Sequence, residues 1–168
     1  MAEAALSVVD EVLFVLPRIF PHKEYGGAPF EARVEMLRAA LAGNPRFSLA
    51  VSYRGLFIDI AREARLEYGV TTELFLLCGR DAAERIVNWD YGSADSIQKQ
   101  LEVFELLVAS RGGHYEPPHE IRDRVRSIAV PPGFDEISST EVRSRIQAGD
   151  PWEDLVPDSV APLMREWY

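Results

Sequence analysis

Short apolar segments alternate with amphipathic segments along this chain, and this alternation limits its fold more than any other feature. Short apolar strands separated by helices are typical of a parallel sheet that helices cover on both faces. We therefore predict an α/β fold built on such a sheet. The segments predicted to be strands are Glu11–Leu16, Phe47–Val51, Glu73–Cys78, Val103–Ala109 and Ser127–Val130.

Six further segments are predicted to be helices. In the first of them apolar residues recur at helical spacing, at Phe30, Val34, Leu37 and Leu41, while charged residues point outward. In chain order the predicted helices are Phe30–Ala42, Leu56–Tyr68, Asp81–Asn88, Asp95–Gln100, Ser139–Ala148 and Asp158–Trp167.

The last two helices carry signals for their ends and for their packing. Gly149 follows Ser139–Ala148 and suits a helix C-cap, and a proline comes shortly after it. The final helix places four residues on one stripe, which is predicted to face the core: Val160, Leu163, Met164 and Trp167.

Composition excludes several classes of protein. A chain of 168 residues with 47% hydrophobic residues is expected to form one globular domain. Its net charge of −9 argues against a nucleic-acid groove, and no apolar run reaches the roughly 20 residues of a membrane-spanning helix. Cys78 is the only cysteine. It is expected to be a small buried hydrophobe, which fits a cytoplasmic protein.

Three loops rich in proline and glycine follow predicted strands, namely Pro17–Pro29, Ser110–Pro118 and Pro131–Ile137. Ligands of doubly wound sheets bind where loops leave the carboxyl ends of the strands. Each loop is therefore a candidate wall of one binding site. His114 and His119 flank the end of the second loop, but without further ligands they do not predict a metal site.

The segment Ser138–Arg143 is the strongest candidate for an anion site. Ser138 and Glu141 have the spacing of a capping box, which fixes the start of a helix and leaves free backbone N–H groups there. Ser139 and Thr140 add hydroxyls, and Arg143 shares their face of the helix. These groups can hold a di- or triphosphate. The alternative is a well-capped surface helix with a solvated arginine.

The order of the motifs resembles that of nicotinate-nucleotide adenylyltransferases, which belong to the nucleotidyltransferase superfamily with an H-x-G-H motif. The resemblance covers almost the whole chain and implies a Rossmann-like parallel sheet in a single nucleotidyltransferase-like domain of residues 1–168, helical from about residue 139. The matching residues are Asp10–Lys23, Arg33 with Met36 and Leu37, Gly79–Asp81 with Trp89, Val108–Arg111, Ile137–Arg143, Leu155–Pro157 and Glu166–Tyr168.

This resemblance implies that a phosphate oxygen of an acceptor attacks the α-phosphate of a nucleoside triphosphate, expected to be ATP, and releases pyrophosphate. It also implies Mg²⁺ as the cofactor that accompanies ATP. The implied nucleotide and phosphate ligands are Ser138, Ser139, Thr140, Arg143, Arg111, Asp81 and Gly79. The implied acceptor ligands are Trp89, Lys23 and His22. Asp81 could instead cap the following helix, and Trp89 could be a core or rim aromatic.

The chain departs from this pattern at its front. Its three histidines are His22, His114 and His119, and no H-x-G-H motif occurs. Met1–Leu6 resembles the middle of the helix that follows this motif, so the first, central strand is expected to be missing. Either the gene start was placed too late, or the fold rearranges, or a partner fills the gap, and we expect the first of these. Upstream DNA that encodes no in-frame strand with H-x-G-H would refute this expectation.

A second departure concerns the acceptor. Nicotinate-nucleotide adenylyltransferases tend to carry the pattern S-Y-T-x-x-T-L. The matching stretch of this chain is Arg54–Arg62, which lacks those tyrosine and threonine side chains. The sequence therefore does not name the acceptor, the base of the triphosphate or the oligomeric state. The expected activity is a nucleotidyltransferase that is inactive or impaired without H-x-G-H. A non-catalytic nucleotide-binding module and a structural or interaction domain are the alternatives.

Overall fold

The computed structural model describes residues 1–19, 27–92, 96–110, 115–131 and 138–168. In chain order its elements are α1 (Ala2–Ala5), β1 (Val12–Pro17), α2 (Phe30–Leu41), β2 (Phe47–Ser52), α3 (Phe57–Tyr68), β3 (Phe75–Gly79), α4 (Arg80–Asn88), α5 (Ile97–Gln100), β4 (Glu105–Ser110), a 3₁₀ helix (His119–Arg124), β5 (Val125–Ala129), α6 (Ser139–Ala148), a second 3₁₀ helix (Glu153–Leu155) and α7 (Ala161–Trp167).

These elements form two compact units. The first consists of Met1–Asp10 and Gly55–Pro132, and the second of Glu11–Arg54 and Gly133–Tyr168. Each unit has a parallel sheet of its own, with the strand order β3-β4-β5 in the first and β1-β2 in the second. Among the described residues, β1 and β3 therefore each have a hydrogen-bonded neighbour on one side only.

The first unit is organised around its middle strand. In β4, Leu106 lies opposite Leu76 of β3 and opposite Val125 of β5. The side chains from Leu106 to Ala109 are 0–1% exposed, because β4 is paired on both sides and helices supply further apolar contacts. Ile58 of α3 and Ile86 of α4 belong to the same buried cluster.

The second unit joins a two-stranded sheet to a helical cluster. Val12 of β1 pairs with Phe47 of β2, and this register continues to Pro17 and Ser52. Val142 of α6 belongs to a buried cluster with residues 152–164, and apolar residues of α2 pack against it. The phenol oxygen of Tyr168 accepts a hydrogen bond from the N–H of Ala28 at 3.4 Å.

The structure confirms the predicted α/β class, all five strands and their parallel pairing, with ends that differ by one or two residues. Both 3₁₀ helices were missed, because segments this short leave no periodic pattern. The last helix begins at Ala161 instead of Asp158. Trp167, predicted to face the core, is exposed, whereas Val160 and Met164 are buried. Within the described part of the chain, no helix is long and apolar enough to cross a membrane.

Candidate functional site

The start of α6 in the second unit has the geometry that its sequence predicts. Ser138 is extended, and its side-chain oxygen accepts a hydrogen bond from the N–H of Glu141 at 3.1 Å. The helix runs from Ser139 to Ala148 and ends on Gly149 in the left-handed conformation, at φ 75°. The predicted boundaries of this helix and both of its caps are therefore confirmed.

The capping box is only half formed. Its reciprocal bond would join the Glu141 side chain to the N–H of Ser138. Instead, the Glu141 carboxylate accepts a hydrogen bond from Nε of Arg145 at 2.8 Å, one turn further along. This favourable i,i+4 ion pair raises the pKa of Arg145. Arg145 also donates to the carbonyl of Pro151 at 3.2 Å. Its guanidinium is therefore held by residues of the second unit.

Arg143 differs from Arg145 in this respect. Its side chain is half-buried and has no hydrogen bond or ion pair with any described residue. It lies one turn after Ser139, so both can face the same ligand. Arg143 is therefore the guanidinium that remains available on the first turns of α6.

The hydroxyls at this helix start are available as well. Ser139 and Thr140 are exposed, and neither hydroxyl bonds to another described residue. The N–H groups of these two residues likewise have no acceptor within the described chain. The start of an α-helix carries a partial positive charge from its dipole. These groups together can hold a phosphate group.

In the first unit, Gly79 is the last residue of β3 and Asp81 comes two residues later, at the carboxyl end of the parallel sheet. The N-cap of α4 is Gly79, with no side-chain cap, so the alternative role of Asp81 as a capping residue is wrong. The Asp81 side chain is 83% exposed and lies 3.5 Å from Nε of Arg80. Its carboxylate is thus presented to solvent in the first turn of α4.

Gly79 leaves a space that the fold does not fill. Its backbone has φ −84°, which any residue adopts. Apart from its two chain neighbours, no described residue has an atom within 4 Å of the position that a Cβ at Gly79 would take. The described structure itself therefore does not require a glycine here, whereas a ligand that approaches the backbone closely would require one.

Trp89 lies at the other end of α4. It is the C-cap residue of this helix and is 49% exposed. It comes eight positions after Asp81, which corresponds to about 12 Å along the helix axis. The structure thus places Trp89 on the rim of its unit and does not bring it to the helix start. A large exposed aromatic can be a ligand contact or a plain surface residue.

Three predicted site residues lie outside the described residues: Arg111, Lys23 and His22. The end of the loop Pro131–Ile137, before Ser138, is outside them too. Cys78 is described, and it is buried as predicted. Burial raises the pKa of its thiol from 9.0 to about 11, which keeps it protonated and unreactive at neutral pH.

No group of three histidine, cysteine, aspartate or glutamate side chains in the described residues could hold a metal ion.

Comparisons with known proteins agree with this architecture. The family model described as cytidylyltransferase-like matches residues 1–145. A "probable nicotinate-nucleotide adenylyltransferase" of Salinispora arenicola is 35% identical over 164 residues, which cover 90% of this chain and 81% of that protein. A protein of the same description from Thermus thermophilus is 34% identical over 160 residues, covering 90% and 78%.

Solved structures show the same fold. The Plasmodium falciparum nicotinic acid mononucleotide adenylyltransferase complexed with NaAD superimposes with a TM-score of 0.71 at 17% identity, covering 98% of this chain and 84% of that one. The same enzyme complexed with APC gives a TM-score of 0.67 at 16% identity. The described elements thus match the Rossmann-like fold of these enzymes.

Proposed function

We propose that this chain, which belongs to the cytidylyltransferase-like family, binds ATP and transfers its adenylyl group to a phosphorylated acceptor. The nucleotidyltransferase class follows from the family and from relatives described as nicotinate-nucleotide adenylyltransferases. The observation that carries the proposal is the start of α6, where Arg143 has no partner among the described residues and lies next to exposed hydroxyls and N–H groups.

In this proposal the start of α6 holds the triphosphate. Ser138 fixes the helix start, because its side chain caps the helix. Ser139 and Thr140 donate from their hydroxyls and N–H groups to phosphate oxygens, and Arg143 adds a guanidinium that can bond two oxygens at once. The N-terminal end of the helix dipole favours the same negative charge. None of these groups reacts covalently.

Gly79 and Asp81 are proposed as nucleotide contacts on the basis of the family resemblance. The space beside Gly79 admits a ligand close to the backbone. The exposed Asp81 carboxylate can accept hydrogen bonds from sugar hydroxyls. Arg111 is proposed as a further nucleotide contact on the basis of the family resemblance.

The acceptor is proposed to meet Trp89, Lys23 and His22. The exposed ring of Trp89 can stack on a planar ring. An acceptor phosphate oxygen forms a new bond to the α-phosphorus, and the bond from that phosphorus to the bridging oxygen of pyrophosphate breaks. Both electrons of the broken bond leave with pyrophosphate. Such a transfer depends on positioning and on neutralising charge rather than on a covalent intermediate.

Mg²⁺ is proposed as part of the substrate, because it enters bound to the triphosphate and lowers the charge of the phosphate oxygens. Since the described residues offer no cluster of three metal-binding side chains, we assign it no set of protein ligands. In this proposal the chain's own residues bind the phosphate oxygens and neutralise the charge that Mg²⁺ leaves.

Calorimetric titration with MgATP tests the proposed triphosphate site at the start of α6. Arg143→Ala is expected to weaken ATP binding by about 10- to 100-fold, because a charge-assisted hydrogen bond is worth about 1.5–3 kcal/mol. The matched control is Arg165→Ala, which removes an arginine from α7 of the same unit that pairs with Glu153 at 2.9 Å. Equal affinity of the Arg143→Ala variant and the unchanged protein would remove the proposed phosphate site.

Turnover is proposed to be weak in the chain of 168 residues, because it contains no H-x-G-H motif. Loss of one transition-state donor commonly lowers kcat by about 10²–10³. The same missing motif supports a second candidate, a nucleotide-binding module without catalysis. Pyrophosphate release with ATP and nicotinate mononucleotide separates the two. Sustained release that Arg143→Ala lowers supports an enzyme, and ATP binding without release supports the binding module.

A further inference from the structure

One face of α2 in the second unit plays no part in the proposed reaction. It borders an open groove of about 390 Å³, which the end of β2 also lines. Residues three, four and seven positions apart lie on one side of a helix. The α2 residues with this spacing that line the groove form a stripe of Glu31, Val34, Glu35 and Arg38.

The charged side chains of this stripe are available to a partner. Glu31, Glu35 and Arg38 are all exposed. Glu35 and Arg38 have no hydrogen bond or ion pair with any described residue. Glu31 lies 3.9 Å from Nη1 of Arg18, and these two side chains are 79% and 45% exposed. Exposed pairs of this kind contribute little to stability, so Glu31 can exchange this partner for another.

The groove has no net charge, although the chain is strongly acidic. Two arginines, Arg18 and Arg38, and two glutamates, Glu31 and Glu35, line it, whereas the whole chain has a net charge of −9. Molecules with a large charge of one sign repel each other and tend to stay apart. At this groove a second copy of the chain can approach without local repulsion between net charges.

The order of the residues along the stripe is self-complementary. We consider two antiparallel α2 helices related by a twofold axis that passes between positions 34 and 35. Residue 31 of each copy then lies opposite residue 38 of the other, about 5 Å along the helix from the axis. Glu31 therefore meets Arg38 twice by symmetry, and Val34 lies next to the axis. Parallel helices would instead bring like charges together.

We propose that the α2 stripe is a self-association face, on which a second copy of this chain docks its own α2 in antiparallel orientation, with Glu31 of each copy paired to Arg38 of the other. One helix from each copy makes a small interface, so the dimer is expected to be weak, with a Kd in about the micromolar range. This association does not depend on nucleotidyl transfer.

Sedimentation velocity over a series of protein concentrations tests whether the chain associates. The sedimentation coefficient is expected to rise from that of a monomer to that of a dimer and to stop there, because a twofold interface closes at two copies. Protein that stays monomeric at every concentration would overturn the proposal and leave the groove to a partner of another kind. Assembly beyond the dimer would overturn it too.

Two charge reversals test the ion pairs. Glu31→Arg and Arg38→Glu are each expected to weaken the dimer at least about tenfold, because either change turns both symmetry-related pairs into like-charge contacts. The matched controls are Glu63→Arg in α3 and Arg122→Glu in the first 3₁₀ helix, which make the same charge changes at exposed residues of the first unit. Equal losses in the controls would contradict a specific face.

A mixture of the two reversed variants tests the antiparallel geometry. Glu31→Arg protein meets Arg38→Glu protein with two contacts between opposite charges, whereas each variant meets its own copies with two contacts between like charges. An equimolar mixture is therefore expected to regain the dimer that each variant loses alone. A mixture that associates as weakly as its components would refute the pairing of Glu31 with Arg38.

Glu35 gives a test of opposite sign. It lies next to the proposed axis, where its carboxylate approaches the Glu35 carboxylate of the other copy, and like charges repel. Glu35→Gln is therefore expected to tighten the dimer several-fold, and a loss as large as that of Glu31→Arg would contradict this register. The altered side chains are exposed, so melting temperature and MgATP affinity should stay unchanged in every variant. The outcome here is thus independent of the outcome at Arg143.

Discussion

At the scale of single residues, the candidate phosphate site depends on which arginine of α6 has a partner. Arg145 is bound by Glu141 at 2.8 Å, whereas Arg143 has no partner in the described chain. The sequence allows this distinction, since Glu141 and Arg145 have the i,i+4 spacing of a favourable pair and Arg143 has Ser139 at that spacing. The loss of the reciprocal cap follows from the same competition for the Glu141 carboxylate.

Substitution of Gly79 is expected to affect ligand binding more than stability. Gly79→Ala is expected to change the free energy of unfolding by less than about 1 kcal/mol, because a poorer N-cap is offset by a less flexible unfolded chain. MgATP affinity is expected to fall about tenfold, since the added methyl group enters the space beside β3 that is otherwise empty. Denaturant unfolding and calorimetric titration measure the two effects.

The control for this substitution is Gly43→Ala, where a side chain also meets no atom within 4 Å, but in a turn after α2. It should alter neither quantity. A normal MgATP affinity in Gly79→Ala would show that the space is not a ligand site.

At the scale of elements, α6 combines a structural cap with proposed ligand groups on consecutive residues. The Ser138 side chain accepts a hydrogen bond from the N–H of Glu141, whereas the Ser139 side chain has no hydrogen bond with another described residue. The sequence predicts the boundaries of this helix because both caps are local signals. It does not predict the start of α7, because the turn at Pro157 and the proline at position 162 shift the first helical residue to Ala161.

The adjacent serines of α6 should therefore respond in opposite ways. Ser138→Ala is expected to lower the free energy of unfolding by about 1 kcal/mol through the lost cap. Ser139→Ala is expected to leave it unchanged and to weaken MgATP binding several-fold. Thermal unfolding measures the stability of both variants, and calorimetric titration measures their MgATP affinity. Equal destabilisation by both changes would contradict the division of roles.

At the scale of the whole molecule, the sequence predicts strands and helices well because their periodic patterns are local. Which strands share a sheet is a long-range property, and β1-β2 and β3-β4-β5 form separate sheets in the described structure. The contacts of the Arg18 guanidinium with the rings of Phe30 and Tyr53 were not predicted for the same reason, because these residues are 12 and 35 positions away in the chain.

The strands should differ in hydrogen exchange. Amides of β4 are expected to exchange most slowly, since β4 is paired on both sides and nearly fully buried. Amides of β1 and β2 are expected to exchange faster, because a two-stranded sheet is only marginally stable by itself. Mass spectrometry of deuterium uptake compares peptides from the two sheets. Slower uptake in β1 than in β4 would contradict this order.

The burial of β4 also has a consequence for handling the protein. The strand Glu105–Ser110 has one charge, no proline and four adjacent apolar residues, a composition that favours stacking of identical strands between molecules. In the folded chain, β3 and β5 occupy both of its edges. Unfolding of the first unit would expose both edges of β4, so samples held near the melting temperature should precipitate. Refolding should succeed best at low protein concentration.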